Sequence, residues 1–155
     1  MDKQPELTPQ EAQALAPAAA DAMWQRDATA HALGMERIEV TPGKATLRMR
    51  VRPDMANGHH IAHGGMIFTL ADTAFAYACN SYNLNTVASA CHIDFLAPAR
   101  EGDLLEARGE ERSASGRTGV YDVTVSVVGG PVVALFRGKS YRIRGEVTTS
   151  FTDAA

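Results

Sequence analysis

The sequence predicts an α+β domain in which a curved antiparallel sheet wraps one long central helix. Three observations carry this. The stretch from Lys44 to Val51 alternates strictly, with Ala45, Leu47, Met49 and Val51 on one side and Lys44, Thr46, Arg48 and Arg50 on the other, as a strand with one solvated face does. From Gly64 the period changes: Ile67, Leu70, Ala71, Ala74, Phe75 and Ala78 recur at helical spacing, while Met66, Phe68 and Tyr77 make the remaining sides apolar too. A helix apolar nearly all round must be surrounded by protein. After it come four strand segments at 86–96, 104–112, 118–128 and 132–144, joined by short connections that read as antiparallel neighbours.

The elements follow in order. Thr8 to Leu33 is rich in Ala, Glu and Gln, anchored by Leu15, Met23 and Trp24, and reads as one or two helices interrupted near Pro17 and ended by Gly34. Met35 to Val40 is a first strand, turned at Thr41-Pro42-Gly43 into the alternating one. Asn57 to His63 is a polar loop leading into the central helix. The chain divides into an N-terminal helical segment (1–33) packing on the domain, the domain itself (34–146) and a loose C-terminal tail (147–155).

At 155 residues the chain builds one domain with a real core. A net charge of −3 gives no general attraction to nucleic acid or anionic lipid, and no window approaches the ~18 apolar residues of a membrane span. An acidic, proline-interrupted N-terminus does not read as a signal peptide, and Cys79 and Cys91 read as free thiols in a reducing compartment; the expected location is the cytoplasm.

Asp72 is the one Asp, Glu, Lys or Arg between Met55 and Ile93. Either it faces solvent or caps a neighbouring element, or it is a general base or nucleophile tuned by its surroundings. His63-Gly64-Gly65 stands where the helix begins, so free N–H groups and the positive end of the helix dipole face outward there, a ready site for a developing oxyanion. Asp72 lies eight residues beyond Gly64, or roughly 12 Å along the axis. If both groups act on one substrate, a second copy of the helix must lie antiparallel alongside, which makes a dimer part of the mechanism. His59, His60 and His63 lie in a glycine-broken loop and do not read as metal ligands; His63 fixes the loop or polarises a carbonyl, and Asn57 orients a water or the loop. His31 and His92 read as structural residues.

Several motifs carry a family resemblance. They are Asn57-Gly58-His59, His63-Gly64-Gly65 followed eight residues later by an acid, the run from Leu70 to Asn80, Ile93-Asp94-Phe95-Leu96, Thr118 to Asp122 and Phe136 to Ser140. In these the sequence, from about Leu33 to Arg144, resembles the hotdog-fold acyl-CoA thioesterases, and within them the phenylacetic acid degradation group. The resemblance implies the hotdog fold, paired into a homodimer and commonly a homotetramer, and hydrolysis of phenylacetyl-CoA or hydroxylated phenylacetyl-CoA to the free acid and CoA in aromatic catabolism. Gly64 would polarise the thioester carbonyl, the partner's Asp72 would act as nucleophile or base, and His63 and Asn57 would support them, with the CoA thioester as substrate and no metal or organic cofactor. It places the nucleotide near the sheet edge, making Arg117, Thr118, Arg137, Lys139 and Arg142 candidates for the CoA moiety. Gly65, Phe68, Phe75 and Tyr77 are candidates for the acyl end, although core packing explains the aromatics equally well. Two other functions fit the residues: a hydratase or dehydratase of the same fold, and an acyl-CoA-binding sensor without turnover.

Overall fold

The Thr8 hydroxyl accepts the N–H of Glu11 while the Glu11 carboxylate takes the N–H of Thr8, and this reciprocal cap starts the first helix, α1 (Pro9–Trp24). These groups belong to a computed structural model that describes residues 6–149. α1 runs through Pro17 without a break. The ring costs the helix one N–H, but Ala16, Ala19 and Ala20 bury their face and hold the turns on either side together. The interruption falls instead at residues 25–27, where the Asp27 carboxylate caps α2 (Ala28–Ala32) by accepting the N–H of Ala30. Gly34, at φ +66°, then turns the chain into the sheet.

Six strands make one sheet: β1 (Glu36–Thr41), β2 (Lys44–Arg50), β3 (Leu84–Phe95), β4 (Leu104–Ser115), β5 (Thr118–Val127) and β6 (Val132–Glu146). Their order is β1-β2-β4-β5-β6-β3, every neighbouring pair antiparallel. The alternation read in β2 holds: Ala45, Leu47 and Met49 are buried and the intervening Lys44, Thr46, Arg48 and Arg50 are not. Across the sheet Leu105, Ala107, Val123, Val125 and Phe136 continue the inner face. The outer face carries charge, with Arg48 and Arg108 both bonded to Glu106 at 2.8 and 2.6 Å.

The central helix α3 (Gly64–Cys79) lies on the inner face. Two glycines let it sit close: a Cβ at Gly109 would stand 3.3 Å from the Ala74 carbonyl, and one at Gly138 would stand 2.8 Å from the Phe75 ring. Ile67, Leu70, Ala71, Ala74, Phe75 and Ala78 are buried against the sheet. Thr69, Asp72, Thr73 and Ala76 form a partly uncovered stripe along the other side. The N-terminal segment packs against β1 and reaches the far end of α3, where Tyr77 donates to Asp27 at 3.1 Å and Trp24 lies tilted over the Tyr77 ring.

Three expectations change. β3 and β4 are not neighbours; β3 pairs with β6 at the far edge of the sheet. The connection at 96–103 is extended rather than a tight turn, and its eight residues span the ~14 Å of three strand spacings with chain to spare. It is pinned on the way: Leu96 donates to the Val133 carbonyl, Ala99 accepts from Ala62 at 2.7 Å, and Gly102 donates to Val51. The second change is the unbroken α1. Third, the tail is not loose from residue 147: Val147 is buried and donates to the Asn83 carbonyl, and the Asn83 side chain bonds both the N–H and the hydroxyl of Thr148. Residues 150–155 lie outside the described part. No helix among the described residues is long and apolar enough to cross a membrane.

Candidate active site

The loop before α3 is built on Asn57. Its Oδ1 accepts the N–H groups of His59 and Ile61 at 2.9 and 3.4 Å, its own N–H donates to the Ile61 carbonyl, and His60 closes the turn at φ +61°. With the oxygen so engaged, the amide nitrogen of Asn57 has no partner among the described residues, and Asn57 lines a cavity of about 480 Å³. Next, the N–H of His63 donates to Met55 and that of Ala62 to Ala99, fixing where the helix begins.

His63 is the N-cap of α3. Its Nδ1 accepts the N–H of Gly65 at 2.9 Å and its carbonyl accepts from Met66 and Ile67 at 2.9 and 3.3 Å. Accepting at Nδ1 leaves the ring proton on Nε2 in the neutral form. Three of the first four N–H groups are thereby satisfied. The N–H of Gly64 is the remaining one and has no partner among the described residues. The helix dipole is most positive there, so the group suits an oxygen that gains negative charge.

Asp72 sits midway along α3 on the uncovered stripe, and its carboxylate has no hydrogen-bond or ion-pair partner among the described residues. Partial burial pushes its pKa up from the ordinary carboxylate value. Its charge also reaches the Cys79 and Cys91 thiols: burial first, then among lesser causes the Asp72 charge, drives Cys79 up to about 12, and the same two causes raise Cys91. The buried Cys79 thiol is thus disfavoured as a thiolate. Within one chain, Asp72 remains two helical turns from Gly64.

The other sequence-derived candidates scatter. Gly65 has its N–H occupied by His63. Phe75 and Tyr77 are fully buried core residues, Phe75 set edge-to-face on Tyr121, and half-buried Phe68 stacks edge-on against Phe136. Arg137 is held bidentately by Asp122 at 2.6 and 2.9 Å on the outer face of the sheet, where Lys139 also stands exposed. That Arg137 hydrogen bond, the largest cause, holds Asp122 below its ordinary value. Thr118 opens β5 with its hydroxyl on the Ser115 carbonyl, while Arg117, in the β4–β5 turn beside it, makes one long contact to the Arg142 carbonyl at 3.5 Å and no ion pair among the described residues.

One group was missed. Ile61, Ile67, Phe95, Leu96 and Pro98 form apolar walls of the cavity beside Gly64 and Asn57. The available signal was Phe95-Leu96, two consecutive large apolar residues on a strand, one of which must leave the core.

Comparison with known proteins adds an independent line. The thioesterase superfamily profile matches residues 59–134. The acyl-coenzyme A thioesterase PaaI of Escherichia coli is 52% identical over 129 residues, covering 83% of this chain and 92% of the relative. The solved structure of the E. coli PaaI protein from the phenylacetic acid degradation operon superposes with a TM-score of 0.85 at 50% identity, covering 86% of this chain and 97% of the other. A protein of Streptococcus mutans solved bound to acetyl CoA superposes at 0.69 with 26% identity over 72% of this chain and 90% of its own.

Proposed function

The chain belongs to the thioesterase superfamily, whose hotdog fold it shares, and from that premise we propose that it is an acyl-CoA thioesterase. Its substrates are aryl-acetyl thioesters of the phenylacetyl-CoA and hydroxyphenylacetyl-CoA type. One observation carries the reading: an unclaimed N–H at Gly64 and an unpartnered, half-buried carboxylate at Asp72 lie on the same helix, one at its end and one on its uncovered stripe.

In this reading the thioester carbonyl oxygen rests on the Gly64 N–H, and Asp72 of a second copy approaches from the other side. As base, Asp72 takes a proton from water while the hydroxide oxygen adds to the carbonyl carbon; the negative charge passes to the oxygen held at Gly64. Collapse expels the CoA thiolate, which leaves without needing a proton in the transition state. As nucleophile, Asp72 itself bonds to the carbonyl carbon, the C–S bond breaks to release the CoA thiolate, and water hydrolyses the resulting anhydride to the free acid and the restored Asp72 carboxylate. Assembly into a homodimer is supported by β3, which is exposed on both faces and at the free edge of the sheet, and by the stripe of α3 that the chain's own sheet leaves uncovered.

The test is release of free thiol from a panel of acyl-CoAs, phenylacetyl-CoA included, by wild type and Asp72→Ala side by side. The expected outcome is turnover that falls about 10²–10⁴-fold in the variant with ligand binding largely kept. Near-normal turnover in Asp72→Ala would remove Asp72 from the mechanism, and no wild-type turnover would remove the thioesterase reading.

A further inference from the structure

Phe95 is the last residue of β3 and is 53% exposed, although it is one of the largest apolar side chains of the chain. Its ring does not enter the core. Instead its outer edge leans on the start of α3: a Cβ placed on Gly64 would stand 3.1 Å from Cζ, 3.4 Å from Cε1 and 3.6 Å from Cε2. Apart from the chain neighbours of Gly64, no other side chain among the described residues comes as close to that position. The residues that follow, Leu96 to Ala99, line with it an open cavity of about 480 Å³, within the roughly 300–1,000 Å³ of small-molecule sites.

The cavity's chemistry is one-sided. Its walls are Ile61, Ile67, Leu96 and Pro98 with the Phe95 ring, no charged residue lines it, and the Asn57 amide is its one polar side chain. A charged acyl group would be left unpaired there. An uncharged group whose carbonyl oxygen rests on the Gly64 N–H begins its path in van der Waals reach of the Phe95 ring, because the ring already touches Gly64. An aryl ring in that position meets Phe95 edge-to-face or offset, the two arrangements aromatic pairs favour.

We infer that Phe95 is a specificity-determining residue, the aromatic wall that selects uncharged aryl acyl groups over short aliphatic ones at the Gly64 end of the site. The inference rests on the thioesterase reading and deepens it. Asn57, with its oxygen committed to the loop, also lines this cavity, and its amide nitrogen is the one side-chain donor on the wall for a hydroxyl on the aryl ring.

The test uses the full chain with Phe95→Leu, which removes the ring but stays apolar, and Phe95→Trp, which keeps an aromatic face. kcat/KM is measured for phenylacetyl-CoA and acetyl-CoA, the dissociation constants of both are measured by calorimetry, and sedimentation velocity checks assembly. The expected result is a wild-type preference for phenylacetyl-CoA over acetyl-CoA that falls about tenfold or more in Phe95→Leu and persists in Phe95→Trp, with the sedimentation coefficient unchanged. An unchanged preference in Phe95→Leu, an equal loss on both substrates, a change of oligomeric state, or a wild type without the preference would each overturn the inference. If wild type hydrolyses neither thioester yet binds phenylacetyl-CoA more tightly, and Phe95→Leu abolishes that difference, Phe95 keeps its role and the thioesterase reading falls.

Discussion

The imidazole of His63 accepts the N–H of Gly65 at 2.9 Å and leaves the N–H of Gly64, one residue earlier, without a partner. The cap therefore does more than start a helix. By satisfying the donors around it, His63 leaves the Gly64 N–H as the open donor at the helix start. His63→Ala should lower stability by about 1 kcal/mol and release Gly65 as a competing donor, reducing kcat; His63→Ser, which can accept the same N–H, should recover most of the stability. Chemical denaturation beside steady-state kinetics checks both.

Burial raises the Asp72 pKa, so the native chain holds that proton more tightly than the unfolded one. The ionised carboxylate then opposes folding: its stability contribution is fully favourable below the ordinary value, ~3.9, and is lost as pH rises through the raised one. Asp72→Asn should accordingly melt above wild type at pH 7, with the gap closing toward pH 4, while the acid limb of wild-type activity is displaced upward from the ordinary Asp value. Melting curves at the two pH values and a pH–rate profile test the sign.

Gly138 faces the Phe75 ring at a distance that leaves no room for a methyl group. Gly138→Ala should cost about 1–3 kcal/mol by overpacking, and Phe75→Ala about 3–5 kcal/mol by opening a cavity. Neither should alter the ratio of kcat/KM between aryl and aliphatic thioesters, since both residues belong to the core.

Arg137 is already bound to Asp122, whereas Arg117 has no carboxylate partner among the described residues. Arg117→Ala should therefore raise KM for a CoA thioester about tenfold and leave KM for an N-acetylcysteamine thioester, which lacks the phosphates, unchanged. Arg137→Ala should move neither. A reversed pattern would place the nucleotide on the outer face of the sheet.

If Gly64 and Asp72 act across two copies, specific activity should fall as the enzyme is diluted below its dimer dissociation constant, in step with the sedimentation coefficient. A monomer with full activity would refute the shared site.

The periodicities were readable because burial writes them directly: the two-residue alternation of β2 and the helical spacing of α3 both emerge where expected. Asp72 stood out for the same reason, being a lone charge in a long apolar stretch, and His63-Gly64-Gly65 marked the helix start. Strand order was harder. Loop length alone suggested that β3 and β4 are neighbours, but an extended eight-residue segment can cross the sheet, and pairing with β6 depends on contacts remote in sequence. That crossing also hid the Phe95 cavity, whose walls come from 57–67 and 95–99 and meet only in three dimensions. Phe75 and Pro17 illustrate a further limit: an aromatic near a site and a proline in a helix each look functional or disruptive until packing assigns them to the core and to an unbroken turn.

The free edge of β3 carries a liability of its own. Over its twelve residues Asp94 is the single Asp, Glu, Lys or Arg, and there is no proline, so it lacks the gatekeepers that usually keep an open sheet edge from recruiting other extended chains. A newly made copy is a template for aggregation until something covers that strand. Overproduction or heating, which multiply uncovered edges, are the conditions in which the protein would be lost to precipitation before its helices melt.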